Sequence, residues 1–430
     1  MKKMIYLWGL VALVLLMGTC VCAQQANEAK PPVPMTLQQC IDVAMRNQTD
    51  LVIGRNNVIV AKSKVMAANS SYFPQVSIQN IAFHSGTGVL NQATNGTALS
   101  VNQNIYDGGL REAGVQGARY GAKGSSAALD RTAQTVTFEV TTVYYDVLRA
   151  KHLAEVASAD VTYNQELRDQ MKSLAELGNA ATVDVLPVEA QLANARITLL
   201  IAQNNVRTAA LVLQNAMGNF PQAGFDVVDV TSMPDPDIQP LETYSKTAFL
   251  IRPDITQSKA VSGDAGASSK AARLNLYPRP VITAEYQHSI QGGFTTSGSQ
   301  IVGGIAWDLF DGGANRAVYK AARANQANAA QQELQLSRDI QGQVEEAYLN
   351  LTSGKERLAA SEVGLTAAQS NYDVQKERYN QNLAIALDLL NAEVQLTTAQ
   401  SNLVQSRYDY YTAIAQMDYA VGKQGGPNAK

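Results

Sequence analysis

The chain has 430 residues, with 34 Lys and Arg against 37 Asp and Glu, three His and three Cys. A formal charge of −3 without any basic cluster argues against a nucleic-acid partner. The length by itself allows two or three domains.

The first stretch, MKKMIYLWGLVALVLLMGTCVCAQQ, has two lysines, an apolar run and then Val21-Cys22-Ala23. This reads as a secretory signal peptide over 1–23, cleaved after Ala23. Cleavage removes Lys2 and Lys3 and no acid, so the charge moves from −3 to −5. Cys20 opens a second reading, an acylated lipoprotein cysteine, for which the preceding MGT is a poor signal. In the first reading the mature chain keeps only Cys40, which excludes an intramolecular disulfide. Residues 24–35 read as a flexible linker. No later stretch reaches the roughly 18 apolar residues of a membrane-spanning helix.

A first structural unit is expected over 36–220. It opens with a helix that must stop at Pro74. Strands follow at about 74–84 and 97–106, separated by a polar loop at about 85–97. Leu99, Val101 and Ile105 share one face of the second strand. In the first, Val76 and Ile78 are out of phase with Ile81 and Phe83, which a β-bulge would repair. Asp107-Gly108-Gly109 then marks a sharp turn, with the aspartate bonding to nearby amides. From Leu110 to about Leu177 there is no proline, so a helix on the order of 100 Å long is predicted. A return helix carries Val185, Leu192, Leu199, Val206 and Leu213 seven apart, beside Val188, Ala195, Ala202, Ala209 and Ala216. A repeat of 3.5 residues over five heptads is a coiled-coil signal.

After a Pro-rich linker at 221–239 the pattern returns over 240–424, displaced by 204 residues without a gap. Asp311-Gly312-Gly313 repeats the turn, and Pro278, Tyr348, Lys355 and Gly422 repeat Pro74, Tyr144, Lys151 and Gly218. Strands are expected at about 278–290 and 300–310, with a polar loop at about 290–299. Ile282, Ala284, Tyr286, His288 and Ile290 share one face of the former; Ile301, Ile305, Trp307 and Leu309 share one face of the latter. Ala314 to about Gln381 is the second long helix. Its return helix aligns Leu389, Leu396, Leu403, Tyr410 and Met417 beside Ala392, Ala399, Ser406, Ala413 and Ala420. Residues 425–430 read as a flexible end. The chain is thus an internal duplication, mainly α with a small β portion.

Four strands of about ten residues cannot close a membrane barrel, and open edges in lipid are costly. Strands from several chains must be pooled, which demands a ring-like oligomer. Here the sequence resembles the TolC-like outer-membrane factor family, through YFPQVSIQ, IYDGG, GNAATVDVLPVEAQL, AWDLFDGGANRAVYKAARA and RYNQNLAIALDLLNAEVQL. The resemblance implies a homotrimer with a shared twelve-stranded β-barrel in outer-membrane lipid and a trimeric α-barrel of helical hairpins in the periplasm. It implies two partners, a periplasmic adaptor (membrane fusion protein) and an inner-membrane pump of the RND or ABC type. The function implied is that of the outer-membrane channel in a tripartite efflux or type I secretion system.

The turns 176–186 and 381–390 are then the periplasmic tips, where Gly178 or Asn382 takes the unusual backbone conformation. Asp184 and Asp388 are positioned to cap the return helices. The resemblance places gate-forming acids at these same positions and adds Tyr379 to the closed-state network, with Arg378 and Asp373 nearby. Asn391 stands where relatives can carry a second ring carboxylate, which implies a weaker cation block. Adaptor contact is expected at Leu177, Gly178, Ala180 and Leu186, and at Ala384, Leu387 and Leu390. Trp307 is expected to anchor at the lipid interface. His84 and His288 are repeat mates without metal-ligand spacing, so no metal or other cofactor is expected. No catalytic constellation is apparent, His152 lacks a nucleophile partner, and the sequence reads as a non-enzyme. The rival from another class is a periplasmic coiled-coil or adhesin-like stalk.

Overall fold

A computed structural model describes residues 34–85, 92–177, 183, 185–220, 224–230, 236–291, 294–381 and 383–423. The expected signal peptide, most of the linker before Met35 and the C-terminal end lie outside these, as do Gly178, Ala180, Asp184 and Asn382. The first half runs α1 (Leu37–Asn47), α2 (Thr49–Ser70), β1 (Gln75–Ser85), β2 (Gln92–Tyr106), α3 (Leu110–Glu176) and α4 (Val185–Ala216). The second runs α5 (Leu241–Ile251), α6 (Pro253–Leu274), β3 (Arg279–Gln291), β4 (Phe294–Ala306), α7 (Ala314–Asn380) and α8 (Ala386–Val421). The displacement of 204 relates α1 to α5, α2 to α6 and α3 to α7 residue for residue at both ends.

Each half opens with two helices where the sequence reads as one. Gln48 and its mate Arg252 are both extended, at φ −62° and −64° with ψ 127°, and break the helix there. Pro253 disfavours a helical Arg252. Gln48 instead caps α2, its Oε1 accepting from the Asp50 amide at 2.6 Å. At the start of α1 the Thr36 Oγ1 accepts from the Gln39 amide at 3.3 Å while Gln39 Oε1 accepts from the Thr36 amide at 2.9 Å, a reciprocal cap.

The two copies build matching cores halfway along the long helices. Ala44, Val136, Val140, Val147, Leu213 and Met217 are buried in one. Their mates Ala248, Ile340, Val344, Leu351, Met417 and Val421 are buried in the other. Gly218 and Gly422 end the return helices at φ 71° and 88°. A Cβ on Gly218 would lie 2.8 Å from the Asn47 backbone, and one on Gly422 would lie 2.7 Å from Arg252 Cγ. Left-handed backbone and close approach to the preceding helix break both require glycine there. Beside Gly422 the buried Arg252 pairs with Asp254 at 2.5 Å and donates to the Ala420 carbonyl at 2.9 Å.

The heptad rows are largely buried, with Leu199, Val206 and Ala209 of α4 and Ala399, Leu403 and Ser406 of α8 half-buried. Val185, Val188, Leu192, Ala195, Ala202, Leu213 and Ala216 of α4 are buried, as are Leu389, Ala392, Leu396, Tyr410, Ala413, Met417 and Ala420 of α8. Against the sequence reading, α4 is by length and composition apolar enough to cross a membrane. It runs instead along α3, and its apolar residues form lateral seams interrupted by Glu189, Arg196 and Arg207. Cys40 is free and fully buried, and burial pushes its thiol up to about 12.

The four strands form one antiparallel sheet in the order β1-β2-β3-β4. The bulge anticipated in β1 is absent, since β1 and β2 pair without a break from Gln75↔Asn102 to Ser85↔Gln92. No packed core dictates a phase in β1, because Val76 and Ile78 are 65% and 73% exposed. The irregularity falls in β2, where the register against β3 shifts between Asn104 and Tyr106. Strand pairing also consumes much of both polar loops: β2 starts at Gln92, β3 reaches Gln291 and β4 starts at Phe294. Ladder bonds come from the backbone, so Thr and Ser residues extend a strand wherever a partner lies opposite. β4 ends at Ala306, opposite the first residue of β3, so Trp307 and Leu309 follow the strand instead of sharing its face.

Candidate functional site

Two sets of residues sit where the architecture turns, at the strand–helix junctions and at the far end of the hairpins. At the first junction Gly108 and Gly109 have φ 76° and 93°; at the second Gly312 and Gly313 have φ 68° and 91°. Asp107 accepts from the Gly109 amide at 3.2 Å and the Arg111 amide at 2.9 Å. Asp311 accepts from Gly313 at 2.9 Å and Asn315 at 2.6 Å. Each aspartate thus stands three residues before the helix and satisfies an amide of its first turn. The Asn315 and Gly313 amides hold the Asp311 carboxyl below its usual range.

The side of the sheet nearest these turns carries an aromatic belt. Tyr72, Phe73, Tyr106, Tyr277, Trp307 and Phe310 are all substantially exposed, Phe310 at 91%. Trp307 was singled out in the sequence, and it lies in this belt. The others were not, because only the fold brings both strand starts and both strand ends to one level. His288 lies toward the other end of β3, its Nδ1 2.6 Å from Ser297 Oγ. Among the described residues no group of three or more His, Cys, Asp and Glu is placed to hold a metal.

At the far end, α3, α4, α7 and α8 enclose a third apolar core of Leu167, Met171, Val185, Val188, Tyr372 and Leu389 with their neighbours. Tyr379 packs against it and donates its hydroxyl to Met171 Sδ at 3.0 Å, joining α7 to α3. Burial pushes that hydroxyl up. A thioether is a weak acceptor, so this link is readily exchanged for another. Nothing in the sequence pointed to Met171 as the partner. Arg378 and Asp373 do not pair with each other: Arg378 reaches the Leu383 carbonyl and Gln375 Oε1, both at 3.4 Å, and Asp373 accepts from Gln369 at 3.0 Å.

Asp388 is exposed and does not cap α8. The helix begins one turn earlier than expected, at Ala386 with Ile385 in the capping position, so Asp388 is the third helical residue. A carboxylate in the first turn still interacts favourably with the helix dipole. Asn391 is exposed one turn further on. Of the expected contact residues, Leu177, Leu186 and Leu387 are 74%, 60% and 53% exposed and Ala384 is half-buried. Leu390 is a correction: it is 8% exposed and belongs to the hairpin core, so it offers no surface. Leu390 joins Leu389 and Leu396 in the core shared with α3, α4 and α7. Val183, Leu383 and Ile385 are exposed apolar residues at the same end that sequence reasoning missed.

This arrangement was compared with known proteins. The family profile described as outer membrane efflux protein matches twice, over residues 40–219 and 245–423. The chain belongs to that family. Among curated relatives, the outer membrane efflux protein BepC of Brucella suis is 24% identical over 96% of this chain and 89% of its own. The alkaline protease secretion protein AprF of Pseudomonas aeruginosa is 23% identical over 67% of this chain and 62% of its own. Among solved structures, the Campylobacter jejuni CmeC outer membrane channel superposes with a TM-score of 0.81 at 16% identity, covering 90% of this chain and 85% of that one.

Proposed function

We infer that this outer-membrane efflux protein works as a homotrimeric conduit, gated at the hairpin end and opened by partners. The observation that carries the reading is the open four-stranded sheet. Its edge strands β1 and β4 lack outer neighbours among the described residues, and Ile301 and Ile305 of β4 are both 75% exposed. Unpaired strand edges and bare isoleucines fit a lipid-facing barrel whose remaining strands come from other copies. Three copies supply twelve strands, and the aromatic belt then lies at the periplasmic interface of the bilayer. The helices support the same closure, since the outer edges α4 and α7 leave Ile197, Leu200 and Ile201, and Leu349, Val363 and Val374, exposed.

In such a ring the hairpin ends encircle the periplasmic mouth. Asp388 and Asp184 contribute rings of carboxylates that favour cations, with the neutral Asn391 ring beside them. The Tyr379–Met171 link holds the two hairpins together at the tip and yields when the helices shift. Leu177, Val183, Leu186, Leu383, Ile385 and Leu387 form the apolar rim on which a periplasmic adaptor docks, and the adaptor joins an inner-membrane pump of the RND or ABC type. The cargo is selected by that pump. The relatives' names span both efflux and protease secretion. A periplasmic stalk explains the heptads but leaves the sheet and its bare edges without purpose.

The test is the particle mass of protein extracted from outer-membrane fractions in mild detergent. A detergent-requiring trimer is expected. A water-soluble monomer or dimer would overturn the conduit.

A further inference from the structure

Midway between the apolar core at the tip and the cores farther along the helices, two carboxyl groups are buried against each other. Asp160 of α3 is 8% exposed and Glu393 of α8 is 4% exposed. They are within hydrogen-bonding reach of one another. Asn164, fully buried, donates to Asp160 Oδ1 at 2.6 Å and to the Asp160 carbonyl at 2.9 Å. Thr397 donates to Glu393 Oε1 at 2.8 Å. Glu393 Oε2 is left without a donor. An ionised carboxylate can only accept, whereas a protonated one donates. One proton between the two groups therefore satisfies the orphan oxygen and removes the repulsion of two buried like charges.

Among the described residues no cation is paired with either carboxyl group. On α3, Tyr163 lies alongside, its hydroxyl pushed well above the usual range by burial, by Tyr372 and by Glu393. Farther along α3, Asp146 and Arg149 form an ion pair at 2.6 Å, and Arg149 also reaches Asp409 of α8 at 3.3 Å. On α7, Tyr372 meets Tyr163 edge-on at 5.7 Å, with Lys376 over its ring at 5.7 Å. On α4, Arg196 is directed to Gln165 at 3.4 Å. A cavity of about 520 Å³ between α3, α4 and α8 is lined by Asp160, Thr397 and Ser401, which gives protons from solvent a polar route to the pair.

We propose that Asp160 and Glu393 hold one proton between them as a clasp joining the first helical hairpin to the second, closed when protonated and loosened when the proton leaves. The step is a simple ionisation: the O–H bond of the shared carboxyl breaks, the electron pair stays on oxygen and the proton passes to water. Burial first, and then the neighbouring Asp160, push the Glu393 carboxyl up to about 8. An unfolded glutamate titrates at roughly 4.3. The folded value is the higher one, so the contribution is complete below about 4.3 and disappears as pH rises through about 8. In a conduit whose hairpins must slide to open, alkaline pH would then favour the open mouth. That consequence rests on the channel reading.

The test uses the full-length protein in detergent, as wild type and as Glu393→Gln, whose amide imitates the protonated acid. Infrared spectra at neutral pH should contain a protonated-carboxyl C=O stretch that the variant lacks. The wild-type thermal midpoint should fall by several degrees from about pH 5 to about pH 9, and the variant should lose most of that fall. Asp160→Asn should flatten the same profile. Parallel profiles in wild type and variants, or no carboxyl stretch in wild type, would overturn the clasp. In planar bilayers the wild-type open probability should rise with pH and that of Glu393→Gln should stay flat. A wild type that never conducts would end the channel reading, and the two protein-level measurements would still decide the clasp.

Discussion

The long helices α3 and α7 are copies with the same length and the same place in the repeat, yet they live in different surroundings. Nineteen residues of α3 are buried, against seven of α7. Helix α3 is packed by α1, α2, α4, α6 and α8, whereas α7 packs mainly on α5, α6 and α8 and touches α3 near the tip through Tyr372 and Tyr379. The first copy is interior and the second lies at an edge, with α4 as the opposite edge. A duplicated sequence thus yields one finished and one unfinished helix, and in the proposed trimer the unfinished face of α7 would meet the bare face of α4 on another copy. Under that proposal, burial within one chain separates residues that hold the fold from residues that would hold the assembly.

Substitutions can break that division or sharpen it. The largest expected effect is Leu351→Ala, at a site 1% exposed, which should cost about 2–5 kcal/mol and lower the unfolding transition of any oligomeric form. Ile201→Glu, at a site 57% exposed, should leave the helical content of the chain intact and shift detergent particles from trimer to monomer. If both variants lowered stability alike and neither changed the particle mass, interior and edge would not be distinct. A smaller effect is expected at the mouth. Asp388→Ala should raise cation conductance or weaken blockade by divalent ions in planar bilayers, and no change in either would remove Asp388 from the gate.

The smallest effect concerns the two junctions. Arg111 lies over the Tyr72 ring at 4.0 Å and donates to the Asn104 and Ile105 carbonyls at 2.8 and 3.2 Å. Asn315 stands in its place in the second copy, and its side-chain amide reaches the Asp308 carboxylate at the longer distance of 3.5 Å. Asp107→Ala should therefore cost about 0.5–2 kcal/mol, as loss of a helix cap does, and Asp311→Ala should cost less by thermal denaturation. The Asp311 carboxyl is held low, so its contribution is present at neutral pH and is lost as pH falls through that lowered range. Equal losses at the two sites would mean that Arg111 adds nothing.

The sequence made the repeat, the long helices and their turns legible because proline, glycine and aspartate act locally. Asp107 and Asp311 bond within four residues of themselves, and no distant part of the chain alters that. The seven-residue rows of α4 and α8 were equally readable, since the spacing itself selects the packed face. Strand ends were less so. Thr295 and Thr296 look like loop residues and become strand because β3 lies opposite them. At the tip the error at Leu390 comes from its neighbours: α3, α4 and α7 close over it, and the spacing along α8 alone does not report them. The Tyr379–Met171 link joins residues 208 apart in the chain, and no spacing rule reports such a pair.

The uninterrupted course of α3 also has a mechanical side. From Leu148, in the packed region of the first copy, to its end at Glu176 the helix extends about 42 Å. A rigid arm of that length turns a tilt of about 5° into roughly 4 Å of travel at its tip. In the proposed conduit the packed cores would be the fulcrum and the mouth the long end of the lever. Stiffening the fulcrum would restrain opening without a single change at the mouth.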